Sequence, residues 1–173
     1  MAAHPLTEPA FDSRHFRSVL GEFCSGVTVI TAMDGAEPVG FACQSFQSLS
    51  LSPPLVSFAP AVTSTSYPRI RAAGRFAANV LAEDQEDICR AFAVSGGPKF
   101  DGIAWASSPA GSPVIDGALA WIECEIEREV DAGDHLIVIG RVLDLGAPAS
   151  GRPLLFFRGQ YASLSPCSDS EHV

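Results

Sequence analysis

The sequence is poor in positive charge and has no long uninterrupted apolar run. Its 173 residues include 11 Lys and Arg against 20 Asp and Glu, which gives a formal net charge of -9. This balance argues against nucleic acid and anionic membrane surfaces as partners, because both would repel the chain. No stretch reaches the roughly 18 apolar residues of a membrane span. The opening MAAHPLTEPAFDSRHF also lacks the apolar centre of a secretory signal.

Cysteine and histidine are too scattered to predict a metal site or a redox dithiol. The cysteines are Cys24, Cys43, Cys89, Cys124 and Cys167. No two of them form a Cys-x-x-Cys pair, and the 4 histidines form no ligand cluster, so no metal is predicted. An odd number of thiols and the lack of a secretory signal indicate a reduced, cytoplasmic protein.

Three motifs that often reveal an enzyme class are absent. The sequence has no Gly-x-Gly-x-x-Gly after a strand, no Walker-type phosphate loop and no Gly-x-Ser-x-Gly elbow. These absences argue against a Rossmann dinucleotide domain, a P-loop nucleotidase and a serine hydrolase of the elbow type.

What the sequence does contain is a large apolar fraction interrupted by many turn residues. Hydrophobic residues make up 47%, and there are 15 Gly and 13 Pro. This composition is typical of one compact domain built from short strands. We expect that domain to span residues 13–164, between flexible tails at 1–12 and 165–173.

The first half of the sequence predicts short strands with three helices. Asp12 or Ser13 begins a helix whose apolar stripe runs from Phe16 to Phe23, and the β-branched run VTVITAM starts a strand at Val27. Asp34-Gly35 favours a hairpin turn. Helices are also predicted over 63–74 and 84–94.

The second half is dominated by strands. Residues 122–127 alternate apolar and acidic side chains, which predicts an antiparallel strand with one wet face. Residues 135–145 are apolar on both faces and are expected at the centre of the sheet, and 154–161 form a last strand. Because helices and strands do not alternate regularly, we expect a mainly β fold, a closed or nearly closed antiparallel barrel with helices outside.

Two hydroxyl-rich segments are the first candidates for binding. They contain Ser45, Ser48 and Ser50, and then residues 63–66. Hydroxyls and backbone N–H donors that converge at a helix start form an anion site suited to a phosphorylated cofactor. The alternative is a pair of solvated loops with ordinary caps, which is the more common role of such runs.

Two later segments carry candidate ligand groups. Gly133-Asp134-His135 predicts a turn from which His135 can stack on a planar ligand or donate to it. In LLFFRGQY, Arg158 and Tyr161 can hold a phosphate or an aromatic ring. Each segment also has a structural interpretation, as a solvent-facing hairpin and as a core strand with a surface arginine.

Taken together, five segments in fixed order resemble one known family. The segments are FRSVLGEFCSGVTVITA, PVGFACQSFQSLSLSPPLVSFAP, STSYPRIRAAGRFAANVL, GDH and PLLFFRGQY. Over residues 16–164 they resemble the short-chain flavin reductases of two-component flavin-dependent monooxygenases. The resemblance implies an FMN-binding split barrel, which is a six-stranded antiparallel Greek key with flanking helices, in a homodimer.

The resemblance also implies an activity. NADH or NADPH would reduce FAD or FMN, with NADH and FAD favoured, and the reduced flavin would diffuse to a separate monooxygenase. Hydride transfer from nicotinamide to flavin needs the two rings in contact and no acid–base pair from the protein. Two alternatives stay open, a flavoprotein with tightly bound FMN and a non-enzymatic flavin-binding or redox-sensing module.

The site residues that the resemblance implies are spread over the chain. His135 is expected beside the nicotinamide as the catalytic residue. The implied cofactor-binding residues are Pro38, Val39, Gly40, Phe41, Ala42, Gln44, Ser45, Ala59, Pro60, Ala61, Thr65, Ser66, Ala91, Phe92, His135, Arg158 and Tyr161. Many relatives carry Thr-Ala-Asn-Ser-Phe where this sequence has Ala42-Cys43-Gln44-Ser45-Phe46, and the longer Gln44 is expected to change the flavin contact.

Overall fold

The computed structural model describes residues 10–165, so nearly all of the predicted tails lies outside the described range. Within that range the helices are α1 (Ser13–Leu20), α2 (Tyr67–Ala73) and α3 (Glu86–Ala93). The strands of the first half are β1 (Ser25–Gly26), β2 (Thr28–Asp34), β3 (Glu37–Cys43), β4 (Gln47–Leu51), β5 (Pro54–Phe58) and β6 (Arg75–Val80). Those of the second half are β7 (Trp105–Ser107), β8 (Pro113–Ile115), β9 (Ala120–Ala132), β10 (His135–Gly146), β11 (Leu155–Phe157) and β12 (Gln160–Ala162).

The main sheet is antiparallel and has seven strands in the order β3-β2-β6-β9-β10-β5-β4. A mainly β fold is therefore confirmed, but the sheet has seven strands rather than six. It is also open, because the described ladders do not join the edge strands β3 and β4. The physical reason is the pairing of β4. The chain leaves the sheet after β3, and β4 then pairs with β5 instead of β3, with Gln47 opposite Ser57. The Greek-key connection stays a prediction.

The open sheet nevertheless curls around one core. Phe41 on β3 and Phe58 on β5 belong to opposite ends of the sheet, yet their ring centroids lie 6.1 Å apart. Phe58 also packs edge-on against Phe76 of β6 at 4.9 Å, and both rings are fully buried. Burial of each such ring contributes about 1.5–3 kcal/mol. Aromatic packing thus brings the two ends of the sheet together where backbone hydrogen bonds do not.

A second, smaller core holds α3 against the sheet. Phe92 of α3 is fully buried and packs with Val27, Leu81 and Leu154. The predicted last strand over 154–161 is wrong as a single element, because it is a hairpin of β11 and β12. Its turn lies at Arg158 and Gly159, both with positive φ, 50° and 77°.

The first helix begins as the sequence predicts. Asp12 is its N-cap, and the carboxylate accepts a hydrogen bond of 2.7 Å from the backbone N–H of His15. Its apolar stripe does not enter a core, because Phe16, Val19 and Leu20 are each about half exposed. Among residues 10–165, no helix is long and apolar enough to cross a membrane.

Candidate functional site

A cavity, the largest of the three described here, lies where the two ends of the curled sheet approach each other, and it is called the main cavity below. Its volume is about 620 Å³, within the range of a small-molecule site. Twelve of the seventeen implied cofactor residues line it: Phe41, Ala42, Gln44, Ser45, Ala59, Pro60, Ala61, Thr65, Ser66, Phe92, His135 and Tyr161. Segments far apart in sequence thus meet at one concave surface.

A serine side chain spans the opening between the two ends of the sheet. The Oγ of Ser45, just after β3, accepts a hydrogen bond of 2.8 Å from the backbone N–H of Ala59, just after β5. It also lies 3.3 Å from the Ala59 carbonyl and 3.3 Å from the Sγ of Cys43. Burial raises the pKa of the Cys43 thiol, so this thiol stays protonated at neutral pH. The contacts fix the separation of the two strand ends that form this wall.

The Gly133-Asp134-His135 turn adjoins this wall, and His135 lines the main cavity. Ala132 and His135 pair across a two-residue turn in which Gly133 has a φ of 73°, a conformation that favours glycine. The turn is tied to the segment after β5, because Val62 N–H donates to the Asp134 carbonyl at 3.0 Å and Ala61 bridges to His135. His135 therefore stands at a position fixed by backbone hydrogen bonds from two elements.

The His135 ring is oriented by its neighbour. Its Nδ1 lies 2.7 Å from the Oδ1 of Asp134. The hydrogen bond from His135 lowers the pKa of the Asp134 carboxyl, so the carboxylate is ionised at neutral pH and acts as the acceptor. Nδ1 then carries the proton, which leaves Nε2 as the ring atom available to a ligand.

The second hydroxyl-rich segment is a loop rather than the start of a helix. Helix α2 begins at Tyr67 and not at residue 63, and the Ser64 Oγ accepts from the Tyr67 N–H at 3.1 Å. Thr65 Oγ1 lies 3.5 Å from the Oγ of Ser95, which also lines the main cavity. Ser66 is buried. The loop therefore presents several hydroxyls to one side of the main cavity.

Lys99 is a functional candidate that the sequence reasoning missed. Its Nζ donates to the carbonyls of Gly40 and Phe92, both at 3.2 Å, and to the Ser66 Oγ at 3.3 Å. These three hydrogen bonds, called the lysine bracket below, join β3, α3 and the loop before α2. Desolvation lowers the pKa of the half-buried ammonium. The composition could have drawn attention to this residue, because Lys99 is the sole lysine in the chain.

The main cavity differs in charge from the chain around it. The whole sequence has a net charge of -9. Among the described residues that line the main cavity there is no Asp or Glu, and Lys99 and His135 are the only basic side chains. Nor does any described ion pair involve Lys99. The main cavity is therefore a local site where an anionic group meets an uncompensated cation.

The remaining five implied residues lie elsewhere. Pro38, Val39 and Gly40 line a second cavity of about 480 Å³, which shares Thr65, Ser66 and Lys99 with the main cavity. Ala91 lines neither, because α3 presents Cys89, Phe92 and Ala93 instead. Arg158 lines a third cavity of about 430 Å³.

Arg158 is held away from the main cavity by an acidic partner. Its guanidinium pairs with Glu22 at 2.7 Å, and its backbone N–H donates to the Gly21 carbonyl at 3.0 Å. These contacts attach the β11–β12 turn to the end of α1. Tyr161 of the same hairpin does reach the main cavity, where its hydroxyl donates to the Cys89 Sγ at 3.2 Å. Burial raises the pKa of Tyr161 to about 12, so it remains a neutral phenol.

Comparison with known proteins identifies the family. Residues 20–165 match the family described as flavin reductase like domain. The chain belongs to this family. The reductase subunit HsaB of a flavin-dependent monooxygenase from Rhodococcus jostii is 52% identical over 157 residues, 91% of this chain and 80% of that protein. This confirms the resemblance to reductases of two-component monooxygenases.

Two solved structures of flavin reductase systems superpose on the chain. A nitrilotriacetate monooxygenase component B homolog from Mycobacterium thermoresistibile is 48% identical with a TM-score of 0.87, over 91% of this chain and 89% of that one. The NADH:FAD oxidoreductase SgcE6 from Streptomyces globisporus, in complex with NAD and FAD fragments, is 36% identical with a TM-score of 0.87. That match covers 96% of this chain and 100% of the other. The curled seven-stranded sheet is therefore a flavin reductase fold.

Proposed function

We propose that this member of the family is an NADH-dependent reductase that binds FAD in the main cavity and passes reduced flavin to a separate monooxygenase. The observation that carries the proposal is the charge of the main cavity. The net charge of the chain disfavours a phosphorylated flavin, whereas the main cavity offers hydroxyls, an uncompensated Lys99 and no described carboxylate. The names of the relatives, an NADH:FAD oxidoreductase and a monooxygenase reductase subunit, support the choice of reductant, flavin and partner.

The residues of the main cavity fit a flavin in chemistry and size. Phe41 and Phe92 provide apolar wall for a flat ring, and the small side chains of Ala42, Ala59 and Ala61 leave room beside the backbone. The phosphate end would lie toward the loop at 63–66 and Lys99, where the hydroxyl donors and the positive charge are. Ring and phosphate would thus occupy neighbouring parts of one cavity, because Lys99 donates to the carbonyls of Gly40 and Phe92.

The protein contributes position rather than acid–base chemistry. When bound, flavin accepts hydride from the reduced nicotinamide, and this chemistry belongs to the two molecules themselves. The Ser45–Ala59 contact keeps the two strand ends at a fixed distance. His135, oriented by Asp134, would accept a hydrogen bond from the nicotinamide amide at Nε2 and hold the nicotinamide ring against the flavin. The walls of the main cavity would limit the access of water to the reacting faces.

We also propose that the protein is a cytoplasmic homodimer and that residues 13–164 form its flavin reductase domain. Exposed apolar side chains support the dimer, because Phe16, Val19, Leu20 and Phe23 are each 49–81% exposed on and just after α1. A second copy would remove this surface from water. NADH as reductant and free thiols at Cys24, Cys43, Cys89 and Cys124 are consistent with a reducing compartment.

The test is NADH oxidation by the purified, dialysed chain in parallel assays with added FAD, added FMN or no flavin. We expect rapid loss of NADH absorbance only where flavin is added, and faster loss with FAD. Equal loss without added flavin would replace the proposal with the alternative of tightly bound FMN. No loss in any assay would overturn the reductase function.

A further inference from the structure

The side-chain amine of Lys99 lies inside the protein surface and still opens onto two cavities. Lysine side chains are mostly exposed and hydrated. Lys99 is half-buried, whereas residues 93–98 just before it are exposed. It lines the main cavity and the second cavity. The amine is therefore partly shielded from bulk water but stays within reach of a small molecule that enters either cavity.

The three partners of the amine differ in what they require. The carbonyls of Gly40 and Phe92 only accept, whereas the Ser66 hydroxyl can accept or donate. A neutral amine has two N–H donors and one lone pair. Both carbonyls can therefore keep their hydrogen bonds when Lys99 loses a proton, and the lone pair is then directed to the side of Ser66, which lines both cavities. The lysine bracket thus orients a nucleophile as well as a cation.

The surroundings also favour loss of that proton. Desolvation lowers the pKa of Lys99, and no described ion pair holds the ammonium in its charged form. A larger share of this amine is therefore neutral near physiological pH than for an exposed lysine. The neutral form is the one that attacks an electrophilic carbon.

The groups around the amine suit an electrophile that carries a phosphate. The Ser66 Oγ lies 3.3 Å from the Nζ, and Thr65 lines the same two cavities. The described lining of the main cavity contains no Asp or Glu, whereas Glu37 and Asp101 line the second cavity. An anion therefore approaches more favourably through the main cavity. An acyl phosphate joins an anionic group, which hydroxyls can bind, to a carbonyl carbon that an amine can attack.

We propose that Lys99 is an acylation site and that its donors are acyl phosphates that enter through the main cavity. The Nζ attacks the carbonyl carbon, the bond from that carbon to the phosphate oxygen breaks, and one proton passes from the nitrogen to the departing phosphate. The products are an amide at Lys99 and inorganic phosphate, with no change of oxidation state. The amide has no positive charge, so acylation lowers the affinity of the main cavity for a phosphorylated flavin. This consequence rests on the proposed function, whereas the acylation itself does not.

The deciding experiment compares Lys99 in the folded chain with the same lysine in a synthetic peptide of residues 94–104 with blocked ends. Both are incubated with acetyl phosphate at mildly alkaline pH, and acetylation of Lys99 is followed by mass spectrometry. We expect the chain to react roughly fivefold faster than the peptide. Added inorganic phosphate should slow this reaction but not the reaction with N-acetoxysuccinimide, an uncharged acetyl donor. Equal rates in chain and peptide, or no effect of phosphate, would overturn the proposal.

The consequence for flavin binding is measured on the acetylated chain, with Lys99→Arg put through the same treatment as the control. FMN should bind the acetylated chain roughly tenfold more weakly, while riboflavin, which has no phosphate, stays within about twofold. Treatment should not change the FMN dissociation constant of Lys99→Arg. Equal losses for FMN and riboflavin would overturn the link to the phosphate, even if NADH-dependent flavin reduction continued. An untreated chain that reduces no flavin would overturn the proposed function alone, because acetylation is measured by mass.

Discussion

The one asparagine and the one lysine of this chain each lie in a polar cluster, and the two clusters have different roles. The asparagine cluster stabilises the fold, whereas the lysine cluster is a candidate for binding a ligand. Asn79 is fully buried on β6, where its amide donates to the Val29 carbonyl and the Thr31 Oγ1 and accepts from the Ile115 N–H. This group is called the sealed cluster, and it joins β6 to β2 and β8. Lys99 likewise uses three hydrogen bonds, in the lysine bracket.

The difference between the two clusters is charge and access rather than hydrogen bonding. A neutral amide with every partner in place has nothing left to offer a ligand, so the sealed cluster contributes to stability alone. The ammonium of Lys99 keeps a positive charge that no described carboxylate neutralises, and it borders two cavities. A satisfied polar group can therefore still be a binding group when its charge remains free.

The largest effect should follow disruption of the sealed cluster. Asn79→Ala takes the acceptor from the buried Ile115 N–H and the amide donor from the Val29 carbonyl and the Thr31 Oγ1, so we expect the free energy of unfolding to fall by about 2 kcal/mol. Urea denaturation followed by circular dichroism measures this change. Gln160→Ala, which removes an exposed amide from β12, is the matched control and should stay within about 0.5 kcal/mol. A loss below about 1 kcal/mol in Asn79→Ala would contradict the role assigned to this cluster.

Substitution of Lys99 in the lysine bracket should change flavin affinity more than it changes the stability of the fold. Lys99→Met keeps the length of the side chain but removes the charge, so FMN and FAD should each bind roughly tenfold more weakly. Riboflavin has no phosphate and should bind within about twofold of the wild-type value. Lys99→Arg is the control that retains the charge. An equal loss for riboflavin and FMN would mean that the bracket shapes the main cavity and does not attract the phosphate.

Local patterns in the sequence were sufficient to predict most elements near the site. The β-branched run at Val27, the turn at Asp34-Gly35 and the Gly133-Asp134 hairpin all occur within a residue or two of their predicted places. Each depends on interactions between neighbours in sequence, which propensity and turn chemistry describe well. The meeting of the site segments could be anticipated only through resemblance to a family.

The features that could not be predicted depend on distant parts of the chain. The partners of Lys99 lie 59, 33 and 7 residues away, so no local motif reveals the lysine bracket. Whether the sheet closes depends on which strand β4 pairs with, which composition does not specify. Arg158 occupies a positive-φ turn position where Gly or Asn is usual, so the β11–β12 hairpin resembled a single strand.

The smallest effects should come from the turn that holds His135, where the polar groups are exposed. The hypothesis is that His135→Ala raises the KM for NADH roughly fivefold and leaves the flavin dissociation constant within about twofold, because we propose that the imidazole contacts nicotinamide. Asp134→Asn should raise the same KM only about twofold, since the Asp134 carboxylate is 91% exposed and water can replace its bond to Nδ1. Steady-state kinetics at saturating flavin, with flavin binding measured separately, provide both readouts.

The two turn variants together separate orientation of the ring from direct contact. If Asp134 acts only by fixing the proton on Nδ1, the double variant should resemble His135→Ala alone, because without the ring there is nothing for the carboxylate to orient. Additive effects would show instead that Asp134 meets NADH by itself. An unchanged KM for NADH in His135→Ala, with altered flavin binding, would move His135 from the nicotinamide to the flavin. The free cation of Lys99 and the exposed ring of His135 would then serve the same ligand.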